Sequence, residues 1–171
     1  MNSLDTHSMI RVNHAGEYGA ARIYAGQLAV MGDRHPHARA IQHMAAQEQR
    51  HLDHFTGLIA ERGVRPTLLQ PFWHVAGFAL GAVTAAMGPK AAMACTAAVE
   101  TQIDKHYAEQ REALGDSDPA LSDAIADFQA EEVEHKATAI AAGAEDVAGY
   151  PVMSAIIQLG CRAAIAVSKR I

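Results

Sequence analysis

Gln47-Glu48-Gln-Arg-His51 and Glu131-Glu132-Val-Glu-His135 decide how this chain reads. Each places a glutamate three residues before a histidine. On an α-helix that spacing puts both side chains on one face, a turn apart, so a carboxylate and an imidazole can hold one metal ion together. A chain of this composition yields roughly one such match by chance, so the weight lies in the context. Each pair sits in a helical stretch and is preceded by an isolated glutamate among small residues. Glu17 lies 31 residues before Glu48, and Glu100 lies 32 before Glu132. The two halves repeat one plan about 83 residues apart, the mark of a duplicated helical hairpin.

Glu100 ends the run Ala91-Ala-Met-Ala-Cys-Thr-Ala-Ala-Val-Glu100, which has no other charge. A carboxylate on such a face is costly unless paired, hydrogen-bonded or metal-bound. Read alone, Glu100 could instead mark where its helix meets solvent, and Glu17 could pair with Arg11 or Arg22. Taken together, Glu17, Glu48, His51, Glu100, Glu132 and His135 are expected to ligate two metals. Four carboxylates and two neutral imidazoles are balanced by two divalent ions, whereas the empty cluster would repel itself in a low-dielectric interior. One Glu from each of two helices and one Glu-x-x-His from each of two others is the ligand plan of ferritin-like di-metal bundles. Mixed oxygen and imidazole ligands suit iron or manganese, and iron is the expected pair of ions.

Composition agrees with an all-α fold. Of 171 residues, 50% are hydrophobic but only 5% aromatic, and alanine, the best helix former, dominates. The expectation is a ferritin-like four-helix bundle with additional apolar helices, about six in all, forming one domain over 1–171. Two hairpins, about 3–62 and 91–142, are joined by an apolar segment, about 66–90, and followed by a helix over about 152–168. Pro36 is expected in the first turn of the second helix. Gly16, Gly19 and Gly26 suggest close packing of the first helix on a neighbour. Net charge is −5 with no basic stripe, which argues against nucleic acid.

Residues around the motifs carry weaker expectations. Glu131 and Glu134 are read as surface groups or supports for the ligands. His14, a turn before Glu17, is a plausible support, and Asp104 could orient a ligating histidine. His106 and Tyr107 are candidates for proton or electron delivery, with packing an equal alternative. His35, His37, His43 and His54 lie in polar surroundings and read as surface residues. Cys95 and Cys161 read as small buried apolar groups rather than a disulfide.

The segment Pro71-Phe-Trp-His-Val-Ala-Gly-Phe-Ala-Leu-Gly-Ala-Val-Thr-Ala-Ala-Met87 has no acid or strong base. It is short for a membrane span. It reads either as a buried helix crossing the bundle or as an interfacial helix anchored by Phe72, Trp73 and Phe78. Met1 to Thr6 is polar with an acid at Asp5, unlike a signal peptide, so a cytoplasmic or imported mature protein is expected.

Several stretches resemble the demethoxyubiquinone hydroxylases of ubiquinone biosynthesis (the Coq7 family): Ile10-Arg-Val-Asn-His-Ala-Gly-Glu-Tyr-Gly-Ala20, Arg22-Ile-Tyr-Ala-Gly-Gln27, Gly77-Phe-Ala-Leu-Gly81, Ala92-Met-Ala-Cys-Thr96, Glu131-Glu-Val-Glu-His135 and Gly160-Cys-Arg162. The match runs from about Met9 to Ile171. Departures are Thr101, where many relatives have a second glutamate, and Asn13, where aspartate is common. The resemblance implies an O₂-dependent di-iron monooxygenase that hydroxylates a polyprenylated methoxy-benzoquinol, with electrons ultimately from NADH. It further implies peripheral binding to a membrane, the cytoplasmic face of the inner membrane if the source is bacterial. A homo-oligomer or other ubiquinone-biosynthesis proteins are possible partners. A ferritin-like ferroxidase and a non-enzymatic membrane-associated adaptor are the alternative readings.

Overall fold

The computed structural model describes residues 3–171. Met1 and Asn2, the start of the polar opening, and the side chains of Ser3 and Leu4 lie outside the described residues. The chain forms α1 (Ser3–Met31), α2 (Ala38–Arg62), α3 (Gln70–Ala86), α4 (Pro89–Leu114), α5 (Pro119–Ala141), a short 3₁₀ turn (Ala144–Asp146) and α6 (Tyr150–Ser168). There is no strand among the described residues, as the alanine-rich composition requires.

Helix boundaries follow local chemistry. Asp118 caps α5 by accepting a hydrogen bond from the Leu121 backbone N–H at 3.1 Å, and Pro119 follows it in the first turn. Pro89 opens α4 in the same way, two residues earlier than the sequence suggests, after Gly88 at φ 124°. Pro36 departs from expectation: it stays in the turn before α2, where the His35 Nδ1 accepts from the His37 backbone N–H at 3.1 Å. That bond holds the chain in a turn until Ala38.

Helices α1, α2, α5 and α4 form a closed ring. Cross-contacts pair Tyr24 with Met44, Gln47 with His135, Asp104 with Gln129, and Asn13 with Gln110. A second contact on each side, such as Glu17 with His51 or Arg62 with Asp118, shows that numbering rises on one helix as it falls on the next. Every neighbour in the ring is therefore antiparallel. Two apolar layers fill it. One contains Tyr24, Ile41, Met44, Met93, Ala97 and Ala139; the other contains Ile10, Phe55, Tyr107, Leu114, Leu121 and Ile125. On each helix the glutamates and histidines of interest fall between these layers.

Helices α3 and α6 lie outside the ring. Contacts between α1 and α3 are the most extensive in the molecule, and glycine explains them. A Cβ on Gly26 would strike the Phe78 backbone, and one on Gly81 would strike the Ile23 carbonyl. Gly16 and Gly19 were expected to share this role, but a Cβ at either would meet nothing. Helix α6 packs on α4 through Ile157, Met153 and Cys161 against Cys95 and Val99. Under both outer helices, α4 is buried continuously from Ala91 to Glu100. Both cysteines are free, and burial pushes the Cys95 thiol up to about 12 and the Cys161 thiol up to about 11.

The outer faces of α3 and α6 are apolar and uncovered: Phe72, Val75 and Val83 on one, Val152, Ile156 and Leu159 on the other. Helix α6 is long and apolar enough to cross a membrane by length and composition, yet it packs along the bundle. Of the anticipated anchors, Phe72 is exposed, whereas Phe78 is half-buried with the Arg22 guanidinium 5.1 Å from its ring centre. Gly81→Ala is expected to destabilise the protein by about 1–3 kcal/mol in urea unfolding, because backbone rather than a flexible side chain must move. A change below about 0.5 kcal/mol would mean that the α1–α3 approach is adjustable.

Candidate metal centre

Between the two apolar layers the ring brings Glu17, Glu48, His51, Glu100, Glu132 and His135 together. None is more than 1% exposed. One ligand atom each from Glu17, Glu48, His51 and Glu132 lie within 4.8 Å of one another, and so do atoms of Glu48, Glu100, Glu132 and His135. Glu48 and Glu132 belong to both groups. The two Glu-x-x-His motifs thus lie on facing helices, α2 and α5, and the isolated glutamates on α1 and α4.

Each histidine is held from behind. The His51 Nε2 contacts Glu131 Oε2 at 2.8 Å, and Glu131 is itself gripped by Arg50 at 2.9 Å. His51 Nδ1 then faces Glu17 and Glu132 at 3.3 and 3.2 Å. The His135 Nε2 bonds Gln47 Oε1 at 3.0 Å, leaving Nδ1 toward Glu48 and Glu132 at 3.2 and 3.1 Å. Such outer partners fix ring orientation and tautomer at metal sites. Two phenols hold carboxylates: Tyr24 donates to Glu100 at 2.8 Å, and Tyr107 donates to Glu17. Burial, with the surrounding carboxylates, raises both phenols well above the ordinary tyrosine range, so both remain donors.

The remaining donor atoms have no partner. Glu17 Oε2, both Glu48 oxygens, Glu100 Oε2, Glu132 Oε1 and His51 Nδ1 are fully buried without a hydrogen bond. Buried polar atoms are rarely left so, and here they converge. A pair of divalent cations satisfies them and neutralises the carboxylates, so this donor set fits the metals that the sequence implies. Without a cation the cluster must hold protons. Burial, reinforced by Glu132 and Glu17, pushes Glu48 well above the carboxylate range; burial and Glu132 do the same to Glu100. Burial opposes charge on His51, but the carboxylates of Glu132 and Glu17 facing its Nδ1 raise it to about 10. Burial also opposes charge on Glu132, but the hydrogen bond with His135 and the neighbouring His51 pull it down to about 2.

Other anticipated roles fall out differently. Glu131 supports His51, while Glu134 is exposed. Asp104 does not reach a histidine. It accepts from Gln129 at 2.6 Å, because its place on α4 faces the flank of α5. His14 is buried with Nδ1 unpartnered and belongs to neither donor group of the centre. His106 bonds Gln110, away from the cluster. Glu17 pairs with neither Arg11 nor Arg22, which reach the backbone of Arg65 and His74 instead. His43 and His54 are exposed and His35 and His37 half-buried. Sequence reading missed Tyr24 and Gln47. Tyr24 was within reach, since it lies two turns after Glu17 on the same face; Gln47 carries no distinguishing signal.

A ring of four antiparallel helices around buried carboxylates and imidazoles is the architecture of carboxylate-rich di-metal bundles. The chain belongs to the COQ7 family: the family model described as ubiquinone biosynthesis protein COQ7 matches residues 5–168. It is 52% identical over 162 residues to a Rhodospirillum rubrum protein named 3-demethoxyubiquinol 3-hydroxylase, covering 95% of this chain and 76% of the relative. It is 49% identical over 167 residues to a human mitochondrial protein named NADPH-dependent 3-demethoxyubiquinone 3-hydroxylase, with coverage of 95% and 76%. A Saccharomyces cerevisiae mitochondrial protein named 5-demethoxyubiquinone hydroxylase is 41% identical over 179 residues, with coverage of 95% and 77%.

The raised Glu48, Glu100 and His51 set a pH signature for chelated protein. Once the unfolded carboxylates have ionised near pH 4.5, the folded state holds more protons than the unfolded one, so stability falls as pH rises. His51 adds a contribution present below its unfolded value near 6.5 and lost as pH rises through about 10. Denaturant midpoints of chelated protein should therefore decline from pH 5 to pH 9, while metal-loaded protein should be nearly flat. A rising profile for chelated protein would contradict this account of the cluster.

Proposed function

We propose that this protein is a di-iron monooxygenase that uses O₂ to hydroxylate a polyprenylated methoxy-benzoquinol in ubiquinone biosynthesis. The convergence of unpartnered carboxylate and imidazole atoms in a sealed core is the observation that carries this reading. Membership of the COQ7 family and the hydroxylase names of the relatives support the substrate class. They also favour it over a ferroxidase or a non-enzymatic adaptor.

Glu17, Glu48, His51, Glu100, Glu132 and His135 would hold the irons, with Glu48 and Glu132 belonging to both donor groups. The bound irons supply redox chemistry that carboxylates and imidazoles lack. In balance, one atom of O₂ replaces a ring hydrogen as hydroxyl, the other leaves as water, and two electrons and two protons come from outside. The relatives' names point to a reduced nicotinamide as the ultimate electron source, NADPH in the human case and NADH on the family resemblance.

The chain's own residues position and protect. Glu131 and Gln47 aim the two imidazoles inward, and Tyr24 and Tyr107 fix the carboxylates of Glu100 and Glu17. The apolar layers above and below keep water out, which strengthens every electrostatic contact inside. The uncovered faces of α3 and α6 would lie against lipid, from which a prenylated ring can enter while its tail stays in the bilayer. This makes the protein a peripheral membrane enzyme, on the cytoplasmic face of the inner membrane in a bacterium.

Protein purified without oxygen should contain about two irons per chain, and Glu132→Ala should lose at least half of the metal while remaining helical by circular dichroism. Quinol-dependent O₂ uptake should disappear with the metal. Rapid oxidation of many ferrous ions per chain, without quinol dependence, would move the reading to a ferroxidase. For the membrane face, Phe72→Ser with Leu159→Ser should weaken binding to neutral phosphatidylcholine vesicles roughly tenfold or more, since two exposed apolar side chains are lost. Unchanged vesicle binding would remove α3 and α6 as the lipid-facing surface.

A further inference from the structure

Between the second half of α4 and the C-terminal half of α6 lies a cavity of about 330 Å³, apart from the metal cluster. Lys105, Arg162, Lys169 and Arg170 line it, with Glu109 the sole acid. Glu109 is already engaged by Lys105 at 3.9 Å. Arg162, Lys169 and Arg170 have no acidic partner among the described residues. A concentration of positive charge is unusual in a chain of net charge −5.

A buried imidazole lines the same cavity. His106 is only 7% exposed and lines its wall. Its tautomer is set by an amide lock: Asn13 Nδ2 donates to Gln110 Oε1 and Gln110 Nε2 donates to Asn13 Oδ1, both at 2.8 Å. Gln110 Nε2 also stands 2.8 Å from His106 Nε2, which must accept. With Gln110 so placed the ring proton is on Nδ1, for which there is no partner among the described residues. Burial and Lys169 push the imidazole down to about 4, so it is a neutral donor in a positive field. Cations around a fixed N–H are the recognition chemistry of a phosphate.

We propose that this cavity binds the phosphate of a membrane phospholipid. The location argues for lipid rather than a soluble phosphate. The exposed stripe of Val152, Ile156 and Leu159 on α6 runs on to Arg162, and Ile165 and Ala166 form the apolar part of the cavity wall. A headgroup in the cavity would leave its acyl chains beside that stripe. Apart from His106 the lining has no aromatic ring to stack a nucleotide base. The proposal rests on the lipid-facing reading of α3 and α6, and it adds a specific anchor at one end of that face.

The test is vesicle co-sedimentation of the full chain with phosphatidylcholine, alone and with phosphatidylglycerol, and calorimetric titration with pyrophosphate and NADPH. Arg162→Gln and His106→Phe, each checked for unchanged helicity, should both weaken binding to the mixed vesicles, by roughly fivefold or more for the lost charge. Pyrophosphate should show no saturable binding, and any NADPH binding should be unchanged in Arg162→Gln. Loss in Arg162→Gln but not in His106→Phe would mean attraction by charge alone and would overturn the built site. Saturable pyrophosphate or NADPH binding that Arg162→Gln abolishes, at unchanged vesicle affinity, would overturn the lipid assignment. The Phe72→Ser, Leu159→Ser protein separates the two readings: loss there alone keeps the lipid face and overturns the pocket, and loss in the cavity variants alone does the reverse.

Discussion

Four carboxylates share one buried space, and no lysine or arginine pairs with them among the described residues. Mutual repulsion in a low-dielectric interior is the constraint around which the rest of the structure is arranged. Only cations or protons can relieve it. The ring of helices must therefore tolerate a core that is unfavourable when empty, and it does so by packing an apolar layer on either side. Tyr24, Ile41 and Met44 lie toward one end, and Phe55, Leu121 and Ile125 toward the other. The phenols of Tyr24 and Tyr107 reach from those layers to single carboxylate oxygens, so the greasy and the charged parts of the core are joined through side chains that belong to both.

The outer helices solve a different problem. Alanine-rich helices bury little area per residue, and α4 needs cover on nearly every face from Ala91 to Glu100. Helix α3 gives α1 a backing through glycine-mediated backbone contact, and α6 lies across α4 through Ile157 and Met153. Each spends its inner face on the bundle and keeps an apolar outer face. Large apolar surface left uncovered on a small protein marks a surface that meets something other than water.

Much of this was legible in the sequence because it depends on spacing. Helical periodicity, the duplicated Glu and Glu-x-x-His plan, and the Gly and Pro punctuation between helices are local patterns; both hairpins and the last helix lie within two residues of their expected bounds, while the apolar helix fills only Gln70–Ala86 of the segment 66–90. What was not legible depends on facing. Asp104 has the right residue type to support a histidine, but its direction on α4 sends it to Gln129. Gln47 supports His135 across the ring from α2, and nothing in its neighbourhood on the chain announces that. Gly16, Gly19 and Gly26 look equivalent in sequence, yet only Gly26 has its own Cβ position closed by α3; α3 meets Gly19 at its carbonyl, opposite Gly77. The lock on His106 likewise joins residues of α1 and α4 that are far apart along the chain.

The antiparallel ring also bears on the order in which the protein assembles. Its two hairpins, α1 with α2 and α4 with α5, are closed by short turns and can form from contacts near in sequence, at little cost in loop entropy. Neither holds a complete donor group, since each of the two groups draws on both hairpins. The cluster comes into being only when the hairpins dock, as the last long-range event. A chain arrested with its hairpins apart therefore leaves these carboxylates and imidazoles dispersed, and only the docked hairpins gather a complete donor group.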